Sequence, residues 1–300
     1  MKYLLTIVLA TLGGFFSRWY MLRRDYRQYP SYPQGWAIHL FLGFIGGLIG
    51  AILVPAFLEK QYPAISFLLL AATQFREVRD MERSTLQAME QTEMVKRGAA
   101  YIEGIARVFE ARNYLAIWVS LAIAITSESL SVVGLWRVPF AVVVGLVVAI
   151  TLNHLMQGDR IGDLAQVEQA PLSFEGALLL VDDFKVRNVG LEETRKVYTE
   201  RGLGAVIRPH NPNAKATLAN LGQMHAIAHD VATMIGVYMD VDEQEFVPLV
   251  RRDPGSGNLY LAFLPSEPDL EAFIAAIRRV PVLEGAVRKP LTSTAGKMLD

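Results

Sequence analysis

The sequence predicts an α-helical polytopic membrane domain of about five spans followed by a C-terminal cytosolic α+β domain. Three observations carry that prediction. Mean hydropathy is positive with 52% hydrophobic residues, high for a water-soluble chain of 300 residues. Nearly all long apolar runs lie before Gly158. From Phe174 onward short β-like runs alternate with helical patterns, as in a small sheet covered by helices.

Lys2 to about Tyr20 is an apolar run with a Gly13-Gly14 pair, followed by the basic Arg18, Arg23, Arg24 and Arg27. Gly13 to Met21 offers no signal-peptidase pattern, so the run reads as a retained first span. Trp36 to Leu58 is the second span, interrupted by His39. Its Gly43, Gly46, Gly47 and Gly50 supply small-xxx-small pairs for close helix approach. Pro63 to Phe75 is a shorter apolar run that feeds, without a breaker, into a long cytosolic helix over 76–97. There Val78, Met81, Thr85, Met89 and Thr92 recur at helical spacing, an apolar stripe that wants cover from this chain, a second copy or another protein.

Gly98 breaks the pattern. The segment 101–112 then reads as an interfacial amphipathic helix, with Ile102, Ile105, Ala106 and Phe109 on one face and Arg107, Glu110 and Arg112 forbidding deep burial. Tyr114 to Val133 and Val138 to Met156 are the last two spans. Basic residues beside the membrane gather between spans one and two and between three and four. The positive-inside rule then places the N-terminus outside and the domain after Met156 in the cytoplasm.

In the C-terminal part, 158–173 reads as a linker, 174–290 as the α+β domain and 291–300 as a loose tail. Strands are expected over Gly176–Phe184, Gly204–Arg208, Glu245–Arg251 and Leu259–Leu264, the last two joined by the turn Asp253-Pro254-Gly255-Ser256-Gly257. Helices are expected over Leu191–Arg201, Lys215–Ile235 and Pro268–Arg279.

Composition excludes several functions. A net charge of -1 with no basic patch argues against nucleic acid, and the lack of cysteine rules out disulfides, thiolate metal sites and a cysteine nucleophile. No P-loop, dinucleotide fingerprint or serine-hydrolase elbow is present, and no cofactor is expected. His225 and His229 have the i, i+4 spacing of a zinc helix, with Asp230 or His210 as a third ligand. Ala226 replaces the glutamate base, which leaves two ordinary histidines as the preferred reading.

Polar groups inside spans are costly and tend to face the bundle interior or a site. His39, Asn153, His154 and Glu103 all fall toward the predicted cytoplasmic side, with Glu128 deeper or toward the outer face. Together they would permit water activation, a carboxylate taking the proton while imidazole and amide groups stabilise the oxyanion. The bland alternative is that Glu103 pairs with Arg107, His39 snorkels and Asn153-His154 end a span.

The hexapeptide Tyr101-Ile102-Glu103-Gly104-Ile105-Ala106 resembles the signature of the YIEGIA family of membrane proteins of spore-forming Gram-positive bacteria, and all six letters match. An apolar N-terminal half followed by a soluble domain is also that family's layout. The resemblance implies a small companion protein, a capping-complex subunit, and hence an activity held in check. A regulated membrane-embedded protease acting on cytosolic or juxtamembrane protein substrates fits such a check. The alternative is a non-enzymatic membrane regulator that signals through its cytosolic domain; a transporter comes third, because the spans show no inverted repeat.

Overall fold

The computed structural model describes residues 2–25, 33–93, 95–156, 158–239 and 247–293. Arg27, the expected strand start at Glu245 and the tail after Ser293 lie outside the described residues, as do the side chains of Arg23 and Arg24. The chain divides into two compact units, Met1–Thr85 with Ile105–Gln157, and Leu86–Gly104 with Gly158–Asp300.

The first unit is helical: α1 (Leu4–Asp25), α2 (Pro33–Leu58), α3 (Tyr62–Thr73), the start of α4 (Phe75–Glu90), most of α5 (Ala99–Ser129) and α6 (Arg137–Leu155). Among the described residues, four stretches are long and apolar enough to cross a membrane: Leu4–Leu22, Gly35–Leu58, Ala99–Ser129 and Ser131–Leu155. With 12 residues, α3 is only about 18 Å long, short of the roughly 30 Å hydrocarbon core.

Glycines decide how these helices meet. A Cβ on Gly47 would lie 2.7 Å from the Thr11 carbonyl oxygen, and one on Gly14 would lie 2.6 Å from the Gly47 Cα, so α1 and α2 touch backbone to backbone. On the adjacent face a Cβ on Gly50 would come within 2.5 Å of the Ile117 carbonyl of α5. The Ser120 hydroxyl uses that closeness to donate to the Gly47 carbonyl at 2.5 Å. Ala10, Ala51, Leu115, Val119, Ile123 and Ala141 fill the rest of the seam.

Two predicted helices are redrawn by the structure. A continuous helix from 63 through 97 is replaced by α3 and α4, separated at Gln74, and α4 ends at Glu90. The break is a kink, because the Val78 amide still donates to the Gln74 carbonyl at 3.2 Å. Conversely, the interfacial helix expected over 101–112 and the span after it form one helix, the 31-residue α5. Glu110 and Arg112, expected to hold that segment at the surface, have partners in Arg79 and Asn153, so the helix runs on without a turn.

The second unit is α+β. After a short turn, α7 (Ile161–Leu164), come β1 (Ala165–Ala170), β2 (Leu172–Glu175), β3 (Leu178–Val181), β4 (Phe184–Asn188) and α8 (Glu192–Arg201). They are followed by β5 (Leu203–Pro209), α9 (Pro212–Leu218), α10 (Leu221–Ile235), β6 (Leu249–Arg252), β7 (Leu259–Phe263) and α11 (Leu270–Arg279). One antiparallel sheet has the order β1-β5-β7-β6, the other β2-β3-β4. Leu179, Val181, Val186, Tyr198, Val206 and Leu264 form a core that joins them. Phe263 stacks on Phe273 of α11 at 5.8 Å.

Here too the sequence reading needs correction. The expected linker over 158–173 contains β1, which pairs along β5 from Ala165↔Pro209 to Ala170↔Gly204. Gly176–Phe184 is not one strand, because Asp182 adopts a positive φ of 56° and turns the chain between β3 and β4. The helix expected over Lys215–Ile235 is two, each with an asparagine cap: Asn211 accepts from the Ala214 amide and Asn220 from the Gln223 amide. Pro290–Thr292 forms a turn fastened by the Leu291 amide to Asn213 at 3.0 Å, so the tail is anchored up to that point.

The helix crossing gives a direct test. Gly47→Leu should destabilise the detergent-solubilised protein by about 1–3 kcal/mol or prevent its assembly. Gly190→Ala, whose new Cβ meets nothing, should leave the thermal midpoint unchanged.

Candidate functional site

One end of the helical unit holds an unusual set of buried polar side chains: Arg18 of α1, His39 of α2, Arg112 and Asn113 of α5, and Asn153 of α6, all at most 7% exposed. Gly43 makes room for the stem of Arg18, since a Cβ there would sit 2.6 Å from it. The Arg18 guanidinium donates to His39 Nδ1 at 3.2 Å and lies 5.3 Å from the centre of the Phe109 ring, against which the imidazole packs edge-on at 4.5 Å. One turn further along α5, Arg112 donates to Asn153 Oδ1 at 3.4 Å. Asn113 is fully buried, and neither atom of its carboxamide has a hydrogen-bond partner among the described residues.

The start of α4 adds charge to this layer. Arg79 donates to Glu110 at 3.2 Å. Glu82 is raised above the usual carboxyl range by burial, an effect the positive charge of Arg18 partly opposes. The layer thus combines guanidinium and amide donors, an imidazole and a carboxyl whose proton affinity is tuned upward. In a low-dielectric setting such donors act strongly on developing negative charge.

The residues picked from sequence fare differently. His39 and Asn153 are drawn to the same short segment of α5, Phe109 to Asn113. His154 is exposed and its neighbour Asn153 buried. Glu128 sits at the opposite end of the unit, bonded to Thr6 and 3.7 Å from Arg137, with Thr6 and Ser127 also linked at 2.8 Å. Along α5 the rise from Asn113 to Glu128 is about 22 Å. Glu103 is half-buried on the second turn of α5 and belongs to the second unit. Sequence reasoning counted Arg18 as a basic residue at the end of the first span and Arg112 as a surface charge of the interfacial helix, and passed over Asn113. The available signal was the position of Arg18 inside an unbroken apolar run, four residues after the Gly13-Gly14 pair.

The second unit has a separate cluster, where the segment 90–101 meets α10. His229 Nδ1 is 2.7 Å from the Val95 carbonyl, so that nitrogen carries the proton. Glu93 Oε2 lies 3.9 Å from the same nitrogen, and Glu93 is ion-paired with Arg97. The Tyr101 hydroxyl donates to the Asp230 carboxylate, 2.8 and 3.0 Å from its two oxygens. His225 lies beside Gly98, whose φ of +84° starts α5. His210 uses its amide on the Leu164 carbonyl. No three histidine, aspartate or glutamate side chains gather as a metal site among the described residues. Burial lowers the His229 pKa, with Arg97 acting in the same sense and the Val95 carbonyl, Glu93 and Glu90 opposing.

Apolar helices of spanning length joined to a separate α+β unit define a membrane protein with an appended domain. The family model described as YIEGIA protein matches residues 6–293, and the chain belongs to that family. It is similar to an uncharacterized protein, YphB, of Bacillus subtilis (strain 168), with 41% identity over 288 residues covering 96% of this chain and 95% of the relative. No solved structure matches it.

The His229 cluster makes the second unit sensitive to acid. The folded pKa lies below the unfolded value of about 6.5, so the unfolded chain binds the extra proton between the two. Stability is therefore full above about pH 6.5 and falls as pH drops toward the folded value. The thermal midpoint should be lower at pH 5 than at pH 7.5. His229→Ala should flatten this dependence and cost about 1 kcal/mol for the bond to Val95.

Proposed function

We propose that this protein is a membrane-embedded protease, held in check by a companion capping protein, that cuts protein substrates at or beside the cytoplasmic face. The observation that supports the reading is the buried polar layer around Phe109, because such groups are expensive inside a bilayer and are commonly functional. Glu82 is the carboxyl in that layer suited to take a proton from water. It would pass that proton to the leaving amine as the peptide C–N bond breaks. Arg18 and Arg112 would stabilise the tetrahedral oxyanion. Glu103 is the competing base, singled out by its place in the hexapeptide.

The same reading takes the chain across the bilayer five times, with the N-terminus outside and the C-terminal domain in the cytoplasm. Lys2 and Tyr3 before α1 meet Glu59 after α2, and Arg18 near the end of α1 meets His39 near the start of α2. The helix α3 together with the first turn of α4 would then return the chain, since Phe75 packs on Tyr114 at 5.7 Å and Arg79 pairs with Glu110 in α5. Arg18, Arg79 and Arg112 thereby share one end of the unit, the end that the positive-inside rule assigns to the cytoplasm.

A non-enzymatic regulator is the second reading, and a specific observation favours it. The segment Leu86–Gly104, which connects α4 to α5, folds into the C-terminal unit. A partner that binds this unit therefore acts on the chain leading into both helices.

Glu82→Gln and Glu103→Gln separate these readings. Turnover of a co-purifying substrate should fall by roughly 10²–10⁴-fold in the variant that lacks the base, at unchanged abundance. Undiminished turnover in both would leave the regulator. The topology is tested by single cysteines in a chain that has none: a cysteine replacing Ser256 should stay unlabelled by an impermeant reagent in intact cells, and labelling there would reverse the orientation.

A further inference from the structure

Asn113 shares one face of α5 with Phe109, Ala116 and Ser120, which stand at helical spacing before and after it. All of these are buried, Asn113 completely, and neither atom of its carboxamide has a hydrogen-bond partner among the described residues. This face meets the α1–α2 pair largely through glycine. A Cβ on Gly14 would lie 2.8 Å from the Ala116 carbonyl oxygen, one on Gly46 3.0 Å from that of Asn113, and one on Gly50 2.5 Å from that of Ile117. At those crossings glycine meets backbone, so the helices can part there without withdrawing a side chain from a socket.

We propose that this arrangement is the closed state of a seam between the α1–α2 pair and α5, and that Asn113 is the residue that lets the seam open to water beside Arg18, His39 and Arg112. The inference rests on how the helices pack, and not on the protease reading. With the seam shut, the carboxamide has given up water and gained no partner in return. With it open, water supplies both the donor and the acceptor that an asparagine side chain needs. A group satisfied in only one of two arrangements shifts the equilibrium toward that one.

The opposing terms are visible in the same seam. Closure gains van der Waals contact at the glycines and the bond from the Ser120 hydroxyl to the Gly47 carbonyl. Opening gains the hydration of Asn113. The helices α1 and α2 move as one body in this step, because Gly47 touches both the Thr11 carbonyl and Gly14. Leucine at position 113 would fill comparable space and keep the seam shut, so the asparagine is what holds the two states close in energy. The water admitted arrives next to the Arg18–His39 pair and the Arg112–Asn153 pair, which are otherwise buried.

The test uses the full chain, which has no cysteine of its own, with one reporter cysteine alkylated by N-ethylmaleimide in native membranes and the mass shift followed over time. Alkylation needs the thiolate and therefore water. Ser17→Cys is nearly isosteric, buried, and three residues beyond Gly14 on α1. Its labelling should slow about tenfold when Asn113→Leu is added, the factor that one unsatisfied buried group is worth. Ala141→Cys, fully buried on α6 of the same unit, should label at one rate in both backgrounds. The thermal midpoint of Asn113→Leu should equal or exceed that of the wild type. Equal Ser17→Cys rates with and without Asn113→Leu overturn the proposal, as does a slowing shared by Ala141→Cys, which reports general stiffening. A lower midpoint for Asn113→Leu overturns it as well, because the carboxamide would then be held by a bond in the closed state. If leucine prevents folding, Asn113→Ala removes the carboxamide without adding bulk and should slow Ser17→Cys in the same way; an unchanged or faster rate overturns the proposal. Turnover that depends on Glu82 together with labelling that ignores Asn113 leaves the protease reading standing and removes this one.

Discussion

Backbone contact between α1, α2 and α5 is the constraint on which the helical unit depends. In lipid, helices gain little from burying apolar surface against each other, because the acyl chains are as apolar as leucine. What remains is close van der Waals contact and interhelical hydrogen bonds, and both require small residues. Gly14, Gly43, Gly46, Gly47 and Gly50 remove the side chains that would hold the backbones apart, and Ser120 then reaches the Gly47 carbonyl. The apolar side chains that dominate the composition play a lesser part. Many on α6 point outward, including Phe140, Val143, Leu146, Val147 and Ile150, as expected of a helix solvated by lipid.

The polar layer is a consequence of that geometry. With Gly43 in α2, the stem of Arg18 lies where a side chain would otherwise stand, and its guanidinium reaches His39 and the face of Phe109. A buried cation is tolerated when partners and an aromatic face replace water, and the layer supplies both. Asn113 does not follow this pattern. Its fully buried carboxamide, with no hydrogen-bond partner among the described residues, costs about 1–3 kcal/mol, and the glycine seam places it directly beside this cluster. Packing alone gives no reason to keep an asparagine there, because leucine would fill similar space without that cost.

Much of this was legible in the sequence. Four apolar stretches of spanning length, the glycine face of α2, the break at Gly98 and the β6–β7 hairpin follow from period and turn chemistry. His39 and Asn153 were found because a polar residue in an apolar run stands out. Arg18 was missed for the opposite reason: it lies near other arginines and looked like the start of a loop, although α1 continues to Asp25. The kink at Gln74 is a single-residue event without proline or glycine, so no local signal marked it, whereas the division of α9 from α10 spans Ala219 and Asn220 and was signalled only by the capping asparagine. The strand β1 was invisible because Ala165-Gln166-Val167-Glu168-Gln169-Ala170 alternates correctly but with residues too small or too polar to register; its partner β5 supplies the reason for it to be a strand.

Residues 101–106 are the point where both functional readings meet. The hexapeptide is divided between the two units: Tyr101, Ile102, Glu103 and Gly104 fall in the second, and α5 continues unbroken into the first. Tyr101 bonds to Asp230 of α10, so the first turn of α5 is tied to α10 by a charge-assisted bond that needs a tyrosine hydroxyl and not merely an aromatic ring. Gly104 serves the same joint, with only Leu283 at 3.8 Å from where its Cβ would be, so an alanine would fit and steric need alone does not require glycine. The sequence of the joint is thus set partly by what holds Tyr101 and partly by something packing does not explain.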